Sequence, residues 1–117
     1  MPKIKVRYFA VLRELLGDIK EEEYEIGKGT ALTELLLEYI PQRHPGASSL
    51  WKEHLFQTEK GEITFEKDAT PSLKGYYLVL VNGKPHRSIF EDGKPVGLWY
   101  KLNDGDEIAI LPPVGGG

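Results

Sequence analysis

The chain contains no cysteine, which removes disulfides, thiolate metal ligands and cysteine nucleophiles from its repertoire. No apolar run approaches the ~20 residues that a membrane-spanning helix requires, and the N-terminus reads as a strand, not as the apolar core of a signal peptide. Cytoplasmic residence without membrane contact is the expectation. Positive charge is not in excess either: 15 Lys and Arg face 18 Asp and Glu, for a net charge of -3. That disfavours nucleic acid as a partner, because such binding relies on clustered cations that neutralise phosphates. Histidine is scarce, and His44, His54 and His86 have neither the close spacing nor the cysteine partners of a zinc site. We expect packing or surface roles for them and no metal. Asp104, Gly105 and Asp106 lack the longer acidic spacing of a calcium loop and read as a turn. Gly83 and Lys84 lack the upstream glycine of a phosphate loop, and no Gly-flanked serine marks a hydrolase nucleophile. A self-contained enzyme is poorly supported.

What is present suits one small soluble domain over residues 1–117. Hydrophobic residues make up 40% and charged residues 28%, an ordinary globular balance, and a chain of this length buries roughly two thirds of its unfolded surface. Lys3 to Tyr8 alternate strictly, with Ile4, Val6 and Tyr8 on one face, so a half-buried strand is predicted. A short helix around Ala10 to Leu16 follows, with Gly17 as a left-handed cap. Tyr24 and Ile26 mark a second strand, with Glu21, Glu22 and Glu23 as its solvated approach. Thr30 is the expected N-cap of a helix carrying Leu32, Leu35, Leu36 and Tyr39, which Pro41 should end. Ser48 and Ser49 could cap a further short helix through Trp51 and Leu55. Gly61 would then separate two strand-like pieces holding Phe56 and the pair Ile63 and Phe65. Tyr77 to Val81 is an apolar strand, and Asn82-Gly83 supplies the positive φ angles of a tight hairpin turn. Ile108 and Ile110 should face the helix, which leaves Leu111 pointing outward. Trp51 and Trp99 read as core or edge packing more readily than as a binding platform.

The end of the chain carries the chemistry. Pro112 and Pro113 have no N–H to donate and favour extended geometry, so they end sheet pairing and hold Val114, Gly115, Gly116 and Gly117 clear of the body. Glycines at the end let a flexible tail, 112–117, thread a narrow channel in a partner. An α-carboxyl at Gly117, titrating near ~3.3–3.7, is an anion at neutral pH and a poor electrophile. Adenylation by ATP would give it a leaving group for a sulfur or amine nucleophile. With no cysteine to hold it, sulfur would be brought by another protein and rest on the terminus as a thiocarboxylate. A frayed glycine tail is the plain alternative.

The run from Asn103, Asp104, Gly105, Asp106 and Glu107 through Ile108, Ala109, Ile110 and Leu111 into Pro-Pro-Val-Gly-Gly resembles the end of the MoaD family, the small sulfur-carrier subunits of molybdopterin synthase. Tyr8 to Gly17 resembles that family's first strand and helix. The likeness covers about residues 1–46 and 76–117, and an inserted segment around 47–75 matches nothing known to us. It implies an α+β, ubiquitin-like β-grasp fold: a mixed sheet with a helix packed across it. It also implies a non-catalytic carrier that binds no cofactor itself, with ATP used by an adenylating enzyme of the ubiquitin-activating type. A sulfurtransferase loads Gly117, and the catalytic subunit of molybdopterin synthase receives the tail. There the sulfur builds the dithiolene of the molybdenum or tungsten cofactor. On this reading Gly115 and Gly116 thread the channel, while Leu111, Pro112, Pro113, Val114 and Arg13 contribute docking. The alternative is a ubiquitin-like modifier joined to lysines through Gly117, or a sulfur donor for tRNA thiolation. A pure binding module with an inert tail stands third.

Overall fold

The computed structural model describes residues 1–55 and 77–111. Strand β1 (Lys3–Tyr8) buries Ile4, Val6 and Tyr8 and exposes the basic residues between them, as the alternation requires. Helix α1 (Ala10–Leu15) ends in a Schellman motif: Asp18 N–H reaches the Arg13 carbonyl at 2.8 Å and Gly17 N–H the Glu14 carbonyl at 3.1 Å. Gly17 takes a φ of 89° there, the left-handed geometry expected of it.

Strand β2 (Glu21–Glu25) runs antiparallel to β1 with Val6 opposite Glu22 and Ile4 opposite Tyr24. The glutamates are therefore the strand itself and not its approach. Alternation turns Glu22 inward beside Tyr24, because residues two apart in a strand share a face.

The central helix differs from expectation at both ends. Thr30 does not cap it: its hydroxyl donates to the Gly27 carbonyl at 2.6 Å, while Ala31 holds the cap position and its N–H is taken by Glu34 Oε1 at 3.2 Å. An isolated bridge between Ala31 and Lys101 fixes this entry. Nor does Pro41 stop the helix. It proceeds from α2 (Leu32–Glu34) through a π-helical turn (Leu35–Tyr39) into α3 (Ile40–Arg43). In the widened turn Ile40 N–H bonds the Leu35 carbonyl, so the next donor in register, at Pro41, does not exist. The Leu36 carbonyl instead accepts the indole N–H of Trp51 at 2.8 Å.

A 3₁₀ turn (Pro45–Ala47) leads into α4 (Ser48–Leu55), whose Trp51 and Leu55 are fully buried. The helical start of the expected insertion thus belongs to the core. Gly61, Phe56, Ile63 and Phe65 lie outside the described residues.

Strand β3 (Leu78–Val81) turns through Asn82 and Gly83, at φ 51° and 85°, into the two-residue β4 (Lys84–Pro85). A 3₁₀ turn (His86–Ser88), the small hairpin β5 (Phe90–Glu91) and β6 (Lys94–Pro95), and a second 3₁₀ turn (Gly97–Trp99) precede β7 (Glu107–Leu111). The main sheet has the order β2-β1-β7-β3-β4, and the β1–β7 pairing is parallel while the others are antiparallel. The helices cover one face. Leu32, Leu35, Leu36 and Ile40 join Ile4, Val6, Val79, Ile108 and Ile110 in one buried cluster.

Candidate functional site

Among the described residues no helix covers the opposite face of the sheet, which divides into two halves. Outward residues of β1 and β2 are charged and pair across the strands: Lys3 with Glu25 at 3.8 Å, Lys5 with Glu21 at 3.5 Å, and Arg7 with Glu21 at 3.5 Å. Lys5 also reaches Glu107 at 4.0 Å. These pairs are solvent-exposed and so contribute little stability each, but they leave that half of the face neutralised. Toward β3 the outward residues become apolar.

A hollow of about 280 Å³ lies there, lined by Arg7, Phe9, Leu80, Glu107, Ala109 and Leu111 among others. Ile108 and Ile110 are fully buried on the helix side, whereas Leu111 is half-buried on the open side, which is the predicted orientation. Phe9, 39% exposed, forms part of the rim at the junction of β1 and α1. Sequence reasoning missed Phe9, Leu80 and Ala109 as lining residues. The outward phase of β3 and β7 carried the signal for the latter two.

Arg13 is not brought into the hollow's lining. It ion-pairs with Asp18 at 2.9 Å, beside the Schellman cap. Pro112, Pro113, Val114, Gly115, Gly116 and Gly117 lie outside the described residues. The last described residue, Leu111, is opposite Leu78 in the β3–β7 ladder.

The loop before β7 is held by the turn residues noted in the sequence. Asp104 Oδ1 accepts the Lys3 N–H at 2.8 Å, and Gly105, with a φ of 87°, donates its N–H to the Lys3 carbonyl at 2.8 Å. The buried Asp106 accepts from Asn82 Nδ2 at 2.9 Å, the Asn103 N–H at 2.8 Å and the Tyr100 hydroxyl at 3.1 Å. Asn82 also takes the Glu107 N–H at 2.9 Å. One turn thereby locks the start of β7 to both its neighbours, and among the described residues no cluster could hold a metal ion.

A second polar centre lies under the helices. Glu22, with its side chain 12% exposed, accepts through Oε1 from His44 Nε2 at 2.8 Å, Tyr8 OH at 2.8 Å and Tyr24 OH at 3.0 Å. Arg43 adds its charge at 3.6 Å and lies over the Tyr24 ring at 3.8 Å from the centroid. Burial works to raise the Glu22 pKa, but the hydrogen bonds from His44, Tyr8 and Tyr24 outweigh it and the net shift is downward. The Tyr8 phenol is pushed far up, by burial first and then by its neighbours Tyr24 and Glu22. This cluster ties β2 to the end of α3. It faces away from the open side of the sheet and reads as structural. No described helix is long and apolar enough to cross a membrane.

Comparison with known proteins agrees with this geometry. The ThiS family profile matches residues 6–117. A molybdopterin synthase sulfur carrier subunit from Chlamydomonas reinhardtii is 32% identical over 116 residues, covering 98% of this chain and 99% of that one. A putative molybdopterin converting factor subunit 1 from Pyrococcus furiosus superposes with a TM-score of 0.61 at 31% identity, over 97% of this chain and 100% of that one. Small archaeal modifier protein 1 from Methanosarcina acetivorans gives a TM-score of 0.65 at 34% identity, over 100% and 98% of the two chains.

Proposed function

The chain belongs to the ThiS family, within the MoaD/ThiS superfamily of ubiquitin-like β-grasp proteins, and from that membership we propose that it is the sulfur-carrier subunit of a molybdopterin synthase. The observation that carries the reading is the full-length likeness to a sulfur carrier subunit, joined to a sheet face with an apolar hollow that borders Leu111, the last described residue before the Pro-Pro-Val-Gly-Gly-Gly end. Gly117 would be adenylated by an ATP-using enzyme and converted by a sulfurtransferase to a thiocarboxylate. The hollow would seat an apolar side chain of the adenylating enzyme or of the synthase's catalytic subunit. Acid–base groups for dithiolene formation would be the partner's, since this chain supplies sulfur and docking.

Mass spectrometry tests the loading step. Incubation with ATP, an activating enzyme and a sulfur donor should exchange the terminal OH for SH, roughly +16 Da from acyl activation chemistry. Deleting Gly116 and Gly117 should abolish that gain. An unmodified full-length chain beside an active control carrier would overturn the proposal.

The likeness to a small archaeal modifier favours a second reading, in which activated Gly117 is attacked by lysines of other proteins. Denaturing analysis of cells carrying a tagged chain separates the two, because an amide bond survives denaturation and docking does not. A Gly117-dependent ladder of conjugates supports the modifier, whereas a single free band with dithiolene formation in vitro supports the carrier.

A further inference from the structure

In the β3–β4 hairpin Val81 pairs with Lys84 and Leu80 with Pro85; continuing that register sets His86 opposite Val79. The backbone ladder does not continue, because the chain turns into the 3₁₀ segment at His86. The His86 side chain stands in for the absent strand. Its Nδ1 lies 3.3 Å from the Val79 nitrogen and 3.2 Å from the Val79 oxygen, and the residue is only 6% exposed. One ring nitrogen cannot serve both groups at once. Bare, it accepts the Val79 N–H; protonated, it donates to the Val79 carbonyl.

Because Val79 directs its N–H and C=O toward His86, alternation sends those of Leu78 and Leu80 toward β7. There Leu78 lies opposite Leu111 and Leu80 opposite Ala109. His86 is therefore one strand away from the root of the tail and from the apolar hollow.

We propose that His86 is a proton-operated catch on the docking face: with Nδ1 bare it holds the Val79 N–H and seats β3 against β7. Protonation turns that nitrogen into a donor, strands the Val79 N–H, and loosens the end of the ladder that carries Leu78 and Leu111. An unpaired buried backbone donor destabilises whatever encloses it. Burial disfavours the imidazolium, the Val79 carbonyl partly offsets this, and the Arg87 charge adds to the burial effect, so His86 titrates below its ordinary 6.5. Among the described residues, the elements packed most closely against its turn, β3 and the Gly97–Trp99 turn, carry no titratable side chain. No carboxylate from them offsets the charge. The consequence for docking rests on the function proposed above, while the catch itself does not.

Nitrogen-15 NMR of the isolated full chain between pH 7.5 and 5.0 tests it. At neutral pH His86 should carry its proton on Nε2, and the Val79 amide should titrate with the same midpoint as the imidazole. Amide-exchange protection at Leu80 and Leu111, corrected for intrinsic rates, should fall by up to about tenfold per pH unit between about 6.5, the ordinary imidazole value, and that midpoint, and level off below it, the behaviour of one linked proton. Tyr24, in the β1–β2 ladder, should not follow. His86→Phe fills the space without a nitrogen and should remove the pH dependence; if it fails to fold, His86→Gln serves the same comparison. A proton on Nδ1 at neutral pH, a Val79 amide indifferent to His86, or pH-dependent protection persisting in the variant would each overturn the catch. A catch that titrates while affinity for the activating enzyme stays constant would overturn only its coupling to docking.

Discussion

Leu111 concentrates the docking argument in one side chain. It is half-buried on the open face and lines the hollow, so Leu111→Glu should remove an apolar contact from a partner interface without opening the core. On the function proposed above, affinity for the activating enzyme or synthase subunit should fall by about 2 kcal/mol or more, roughly 30-fold, by analogy with central interface side chains. Calorimetry should show little change in melting temperature, and a large loss would mean that Leu111 faces inward. Its outward phase was legible beforehand because a strand's side-chain period is two and Ile108 and Ile110 fix the other face. Glu22 was not legible. Its donors sit at Tyr8 and His44, distant in sequence, and a run of three glutamates looks solvated when read locally.

At the scale of elements, the central helix shows why local rules failed where they did. Proline is expected to end a helix because it removes a donor and crowds the preceding turn. Here the π-turn makes room for Pro41, and the unpaired Leu36 carbonyl is satisfied by Trp51 from α4. Neither compensation is visible within the helix's own sequence. Trp51→Phe keeps an aromatic ring in the core, including its edge-on contact with Tyr8 at 5.8 Å, but deletes the indole donor. Urea denaturation should show a loss of about 1–3 kcal/mol, the usual cost of stranding a buried acceptor, with the slope unchanged. A shift under about 0.5 kcal/mol, within the range of an unremarkable substitution, would mean that the carbonyl finds another donor. The β1 strand, the α1 cap and the Asn82-Gly83 turn were all readable, since each is decided by residues within a few positions of one another.

For the whole molecule, pH should act in two stages. His86 has a folded pKa below 6.5, so its contribution is fully present above 6.5 and is lost as pH falls through the folded value. Glu22, lowered from 4.5, behaves with the same sign at lower pH: its contribution is intact above 4.5 and disappears below the folded value. Urea midpoints followed from pH 8 to 3 should therefore decline first below about 6.5 and again below about 4.5. His86→Phe should flatten the first step and Glu22→Gln the second. A chain that becomes more stable on acidification would contradict both assignments. The order of the strands has one more outcome, which concerns timing. Strand β7 comes last among the described strands yet occupies the middle of the sheet, parallel to β1. Until it emerges from the ribosome, the described strands of the main sheet can form only two separate hairpins, β1 with β2 and β3 with β4. Long-range pairing of this kind is slow and is rewarded only once the loop between is closed. On the function proposed above, an activating enzyme that gripped both β7 and the residues that follow it would engage only chains whose sheet is complete, so that folding itself would gate sulfur loading.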